Sequence, residues 1–135
     1  VITALTPTGA RPEAFAECVR QMRAQTAAAV RWVIVDDGPE PMPTPDVPGW
    51  DVIHLRPEPV WQPGQNTLAR NLLVGLREAT DRVAIIEDDD GYAPDWLETC
   101  DRWLDAADLV GESRSIYRNL RTGATLECGN EQHAS

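Results

Sequence analysis

The sequence contains no lysine: all twelve of its basic residues are arginine. That absence excludes the P-loop NTPases, whose grip on phosphate uses a lysine ammonium. It excludes Schiff-base enzymes, which need a lysine amine, and phospho-receiver domains, which pair strand-end aspartates with a lysine. Long apolar runs are missing as well. The longest strongly apolar ones, Val33-Ile34-Val35 and Val83-Ala84-Ile85-Ile86, fall far below the roughly 20 residues of a membrane span, and the opening residues carry no signal-peptide pattern. Cysteine is scarce: Cys18, Cys100 and Cys128 are odd in number and widely spaced, so neither a disulfide framework nor a zinc pattern is present. Positive charge is outnumbered by 22 acidic residues, for a net charge of −10. With no basic stripe to offset it, nucleic acid and anionic membranes are poor partners.

What is present reads as a soluble globular chain, 42% hydrophobic and 25% charged over 135 residues. One domain is the default at this length. Cys18 and Cys100 fall on the apolar stripes of expected helices, which reads as buried, reduced thiols in a cytoplasmic protein. The chain starts at Val1 and stops at a polar Ser135, which suggests a piece of a longer protein. Eight of the eleven prolines lie between Pro39 and Pro63. That stretch reads as a surface loop interrupted by one short strand.

The periodicity predicts strands alternating with helices. A buried strand over Val1–Leu5 is broken by Thr6-Pro7-Thr8-Gly9. A helix follows, with Pro12 in its first turn, Glu13 at its positive end and Phe15, Cys18, Val19 and Met22 at helical spacing. Val30–Val35 is a second strand, ended by Asp36-Asp37-Gly38, and Asp51–Leu55 a weaker third. A second helix, Thr67–Ala79, presents Leu68, Leu72, Leu76 and Ala79. Arg82–Ile86 is a fourth strand, apolar on both faces and therefore expected at the centre of the sheet. A third helix starts near Pro94 with Trp96, Leu97, Cys100, Trp103, Leu104 and Ala107 as its apolar face. Asp108–Val110 is read as an edge strand, and Ser115–Asn119 with Ala124–Cys128 as a hairpin. The sum is an α/β domain with a mainly parallel, Rossmann-type sheet flanked by helices and a small C-terminal β-hairpin. Ligands gather at the carboxyl ends of such strands, where Thr6-Pro7-Thr8, Asp36-Asp37-Gly38 and Glu87-Asp88-Asp89-Asp90 all fall.

Four consecutive carboxylates at the mouth of a sheet repel one another, and a divalent cation would offset that repulsion. All-oxygen ligands suit Mn²⁺, Mg²⁺ or Ca²⁺; the alternative is a solvated acidic loop with one helix cap. Asp36 and Asp37 read either as turn residues that bond to the backbone or as ligand contacts. Arg70 reads as a surface arginine or as a cation aimed at a phosphate. Trp61, in the proline-rich loop, is the aromatic best placed to stack on a ligand; Trp96 and Trp103 read as packing, and Trp32 can face either side.

Together these segments resemble the family 2 glycosyltransferases of GT-A fold. The likeness rests on Val33-Ile34-Val35-Asp36-Asp37-Gly38, on Asn66-Thr67-Leu68-Ala69-Arg70-Asn71 with Gly75-Leu76, and on Val83–Asp90 followed by Tyr92, Pro94, Asp95, Trp96 and Leu97. It covers residues 1 to about 110. The resemblance implies a metal-dependent transferase, using Mn²⁺ or Mg²⁺, that moves a hexosyl group from a nucleoside diphosphate sugar, UDP-linked in the first instance, to an unknown acceptor with inversion. It implies that Thr6 and Thr8 line the nucleoside pocket and that Asp36 or Asp37 bonds the base or ribose. It further implies that Asn66 and Arg70 lie near the nucleotide and that Glu87-Asp88-Asp89 is the Asp-x-Asp motif with glutamate in first place. In that motif Asp89 is the expected direct metal contact and Asp88 the expected ribose contact, with Glu87 expected to act through water and Asp90 as a reserve ligand.

The chain then reads as one domain over 1–135, with 1–110 holding the donor and 111–135 beginning the acceptor half. Glu112, Glu127 and Glu131 are candidate general bases or plain surface acids. His133 is a candidate ligand or part of a terminal tail. Two other readings stand beside this one: a sugar nucleotidyltransferase, for which Thr6-Pro7-Thr8-Gly9-Ala10-Arg11 is a poor phosphate loop, and a non-catalytic nucleotide- or metal-binding module.

Overall fold

The computed structural model describes residues 1–129; Glu131 and His133 lie outside the described residues. The chain divides into two compact units, Val1–Asp101 and Arg102–Ser135. In chain order the elements begin β1 (Ile2–Thr8), α1 (Pro12–Arg23), β2 (Val30–Asp36), β3 (Asp51–Leu55), α2 (Leu68–Leu76), β4 (Val83–Ile85) and α3 (Trp96–Trp103). The four strands form one parallel sheet in the order β3-β2-β1-β4.

Parallel strands must be covered on both faces, and period-2 alternation assigns each side chain to a layer. Ile2, Ala4, Val30, Trp32, Ile34, Ala84 and Ile86 pack with Phe15, Cys18 and Met22 of α1 and with Leu97 and Cys100 of α3. Leu5, Val33 and Val35 face the other way, where Leu72 and Val74 of α2 cover them. Trp32 is fully buried, with its indole N–H donating to Thr6 Oγ1 at 2.9 Å. Trp50 meets it edge-on at 6.1 Å, so both rings belong to the core. Cys18 and Cys100 are buried free thiols, and burial, with the nearby Asp88 charge, pushes the Cys18 thiol up to about 12.

Four sequence expectations are corrected. The first strand does not break at Thr6; it runs through Pro7 to Thr8. Odd-numbered backbone groups of β1 face β4, since Thr3 N–H donates to the Arg82 carbonyl and the Leu5 carbonyl accepts from Ile86 N–H. Pairing with β4 ends at Leu5↔Ile85, so the N–H that Pro7 lacks would have had no strand to meet. The fourth strand is not central but at the sheet edge, and Ile85 is 48% exposed. The reason is that α2 packs on β1 and β2 rather than over β4. No strand forms at Asp108–Val110, and Leu104 and Ala107 lie beyond the end of α3.

The fourth correction concerns α2, whose buried residues are Asn71 and Gly75, while Leu68 and Leu76 are largely exposed. The helix approaches the sheet through its smallest side chain. A methyl group on Gly75 would lie 2.2 Å from Leu5 Cδ1 and 3.0 Å from Val35 Cγ2. That close contact sets which face is buried and overrides the leucine stripe.

In the second unit, β5 (Arg114–Arg118) and β6 (Thr125–Gly129) form the expected antiparallel hairpin, each displaced by one residue. Asn119 Oδ1 accepts from the N–H groups of Arg121 and Thr122, and Gly123 supplies the positive φ of 73° that closes the turn. Among the described residues no helix is long and apolar enough to cross a membrane.

Gly75→Ala is expected to lower unfolding stability by about 1–3 kcal/mol, the usual cost of overpacking a tight core. Urea denaturation checks this, and an unchanged midpoint would show that Leu5 yields freely.

Candidate functional site

The carboxyl ends of β1, β2 and β4 meet the start of α2 around a cleft of about 490 Å³. Its walls include Thr8, Arg11, Asp37, Trp61, Asn66 and Glu87, with Asp89 at the same mouth. The β1–α1 loop and the end of β2 touch closely here. A methyl on Gly9 would lie 2.3 Å from Asp37 Oδ1, and one on Gly38 would lie 2.6 Å from Ala10 N. Glycine at both positions lets two strand ends share one rim.

Alternation sends adjacent aspartates to opposite layers. Asp36 follows Trp32 and Ile34 onto the α1 side and is fully buried. Its carboxylate accepts from Gly38 N–H at 3.1 Å and Met42 N–H at 2.8 Å, contacts His54 Nε2 at 3.2 Å, and pairs with Arg56 at 3.0 Å. His54 Nδ1 meets the Thr44 hydroxyl at 2.7 Å. Arg56 also donates to the carbonyls of Asp36 and Gly38. Asp36 thus fastens the proline-rich segment to the sheet and is absent from the cleft wall. Asp37 turns toward α2. Its Oδ2 accepts from Thr67 Oγ1 at 2.6 Å and from Arg70 at 2.9 Å, while Trp61 N–H donates to its carbonyl at 2.7 Å. Arg70 is held further by Asn71 Oδ1 and the Pro59 carbonyl. The Trp61 indole N–H donates to the Gln65 carbonyl at 3.0 Å, which fixes its ring against the cleft.

The acidic run lies in the turn after β4, outside strand alternation, and it too divides into one buried and three more accessible carboxylates. Asp88 is buried; Thr8 Oγ1 donates to its Oδ2 at 2.7 Å. Arg11 approaches Asp88 Oδ1 at 2.6 Å as a charge contact and donates to Asp89 Oδ2 at 3.1 Å. Glu87, Asp89 and Asp90 point elsewhere, and each brings one carboxylate oxygen within 4.8 Å of the others. Burial first, then the charges of Asp90 and Asp89, holds the Glu87 carboxyl above its ordinary range. Burial does the same to Asp88, against the opposing bonds from Thr8 and Arg11. Three hard oxygen donors converging under mutual repulsion fit Mg²⁺ or Mn²⁺. Tyr92 steadies the turn: its hydroxyl accepts from Glu87 N–H at 2.8 Å, and its own N–H donates to Gln21 Oε1.

The structure therefore gathers Thr8, Asp37 and Asn66 at one cleft with Glu87 and Asp89, with Asp90 beside those two carboxylates. It sets Arg70 behind Asp37 and Asp88 behind Asp89. Thr6 lies beneath the Trp32 indole and does not line the cleft. Glu112 and Glu127 belong to the second unit and are exposed; Glu127 lies 3.7 Å from Arg114. Sequence reasoning missed Arg11, His54 and Arg56. Arg11 had a signal, since it immediately precedes the N1 proline of a helix at the sheet mouth. His54 and Arg56 continue the Val52 alternation onto the layer that holds Asp36, but only the β2–β3 register Ile34↔His54 brings them together.

No curated protein matches the chain. Among solved structures, that of S. aureus TarS superimposes with a TM-score of 0.58 at 16% identity, over 85% of this chain and 20% of TarS. The present chain thus spans a fifth of the length of that protein. The likeness supports the GT-A-like arrangement of parallel sheet and flanking helices. The family model for glycosyl transferase family 2 matches residues 3–125, and with nearly the whole sheet and its acidic turn inside that match, the chain belongs to glycosyl transferase family 2.

Proposed function

We propose that this domain forms the donor site of a metal-dependent glycosyltransferase. It binds a nucleoside diphosphate sugar, UDP-linked in the first instance, together with Mn²⁺ or Mg²⁺, and hands a hexosyl group to an acceptor with inversion. The observation that carries the reading is the meeting, in one cleft, of a polar nucleoside wall (Asp37, Asn66, Thr67) with the carboxylates of Glu87 and Asp89, beside which Asp90 brings a third converging oxygen. A cleft at the carboxyl ends of parallel strands is where such sheets hold ligands.

The residues divide the work. Asp37, fixed by Thr67 and Arg70, offers an oriented acceptor to the base or ribose. Asp36, enclosed on all sides, holds the wall in place rather than touching substrate. Asp89 and Glu87 are the first metal ligands, Asp90 the next, and Asp88, buried behind Asp89, backs them through Arg11 and Thr8 rather than touching the ribose. When the sugar–phosphate bond breaks, its electron pair leaves with the diphosphate. A bound divalent ion supplies electrostatic stabilisation of that leaving group. Glu112 and Glu127 are exposed acids of the second unit, and neither is assigned the base role; Glu131 and His133 remain sequence candidates only.

Four outcomes test this. UDP should raise the melting temperature only with Mn²⁺ present, and Asp89→Asn should remove that rise while keeping the protein's own midpoint. Full UDP affinity in the variant would overturn the metal assignment. Product analysis should find nucleoside diphosphate, whereas pyrophosphate would make the enzyme a nucleotidyltransferase.

Arg70→Ala should weaken UDP binding by about 1–3 kcal/mol through loss of Asp37's orientation. Calorimetry showing equal affinity would leave Arg70 a purely structural arginine.

The fourth outcome concerns pH. Glu87's folded pKa is raised above its unfolded value, so the folded state binds more protons and stability falls as pH rises through that window. Mn²⁺ relieves the same repulsion at neutral pH. The Mn²⁺-dependent rise in melting temperature should therefore be largest near pH 7.5 and shrink as pH falls toward the raised Glu87 pKa. A rise that is flat down to the ordinary carboxylate range would refute this.

A further inference from the structure

Arg11 is the single basic side chain lining the cleft among the described residues. The other two arginines near the strand ends are fully occupied. Arg70 is held by Asp37, Asn71 and the Pro59 carbonyl, and Arg56 by Asp36 and two backbone carbonyls. Arg11 differs in kind. One of its nitrogens rests on a wholly buried carboxylate, Asp88, and the other on an exposed one, Asp89, while its own side chain is 52% exposed. Ala10, just before it, takes a φ of 54°, a left-handed conformation that non-glycine residues rarely adopt. The backbone therefore carries strain where it delivers this side chain to the acidic turn.

A guanidinium shared between a buried and an exposed anion has a fixed arm and an exchangeable one. The Asp88 contact lies in low dielectric, where charge attraction is strong, while the Asp89 contact lies in water, where it is weak. Asp89 is also one of the three converging oxygen ligands, and an oxygen held by a guanidinium is not free for an ion.

We propose that Arg11 is a pivoting cation. It keeps Asp88, gives up Asp89 when a divalent ion binds, and turns the freed nitrogen to the donor's diphosphate, which the planar fork of arginine suits. The residue competes with the ion for Asp89 and serves the donor's phosphate once the ion holds that carboxylate. This rests on the donor-site reading above.

The test compares the unaltered protein with Arg11→Gln and Arg11→Lys. It uses Mn²⁺ alone, followed by the electron paramagnetic resonance of free ion, and UDP or uridine at saturating Mn²⁺, followed by calorimetry. Lysine keeps a charge on Asp88 but has one nitrogen, so it protects the fold if glutamine does not. Both variants should bind Mn²⁺ about two- to fivefold more tightly, the scale of losing a half-exposed competing ion pair. Arg11→Gln should bind UDP roughly 10- to 100-fold more weakly, with uridine unchanged, and Arg11→Lys should fall between. A merely structural arginine would weaken Mn²⁺ and UDP together. Weaker or unchanged Mn²⁺ binding in folded Arg11→Lys, or equal losses for UDP and uridine, would overturn the proposal. Failure of the unaltered protein to bind either Mn²⁺ or UDP would instead overturn the donor-site reading, and the role of Arg11 with it.

Discussion

Every fully buried carboxylate described in this domain is matched by a guanidinium from a different segment of the chain. Asp36 has Arg56 at 3.0 Å, Asp37 has Arg70 at 2.9 Å, and Asp88 has Arg11 at 2.6 Å. Ionised side chains removed from water need such partners. The three pairs lie at the carboxyl ends of β2 and β4, where the sheet opens. They join the proline-rich loop, the start of α2 and the β1–α1 loop to the same rim, so the cleft's walls are tied by charge at the points where backbone hydrogen bonding between strands stops. Arginine suits the task better than lysine. One guanidinium can hold a carboxylate and a backbone carbonyl together, as Arg56 and Arg70 both do.

The pairs also separate structural acids from available ones. Asp36, with two backbone donors, a histidine and an arginine, has no oxygen left for a ligand. Asp37 is held on one oxygen, and its other oxygen has room only because Gly9 carries no side chain, whose Cβ would lie 2.3 Å away. Glu87, Asp89 and Asp90 have no such enclosure, and their mutual repulsion persists. The ends of β2 and β4 thus carry carboxylates that differ in freedom; at β2 the difference comes from the layer to which each residue's parity assigns it, and at β4 from the turn that follows the strand.

Much of this was legible in the sequence, and the reasons for the gaps are physical. Alternating strands and amphipathic helices follow from periodicity, and the parallel sheet, its flanking helices and the C-terminal hairpin are as expected. The acidic turn after Val83-Ala84-Ile85-Ile86 and the Asp-Asp-Gly turn were visible because charge at the end of an apolar run is costly. What sequence could not supply was approach distance. Gly75 rotates α2 away from its leucine stripe because Leu5 sits beneath it. Pro7 stays within a strand because β4 is too short to need its N–H. His54 and Arg56 reach Asp36 only through the parallel register of β2 with β3. Each miss is a contact between segments distant in sequence, to which local pattern is blind.

The net charge of −10 raises the question of how such a chain would attract an anionic donor. Long-range steering works against it, but salt screens that field beyond roughly 8 Å at physiological ionic strength. Within that distance the balance is local. The arginines on Asp36 and Asp37 are neutralised where they stand and offer little to a phosphate. Any attraction must come from a cation at the exposed acids or from Arg11, the one basic side chain lining the cleft among the described residues. An acidic surface with a locally recruited positive charge would bind the donor and the ion as a unit and neither strongly alone. That is the behaviour to be expected of a site whose own carboxylates outnumber its free cations.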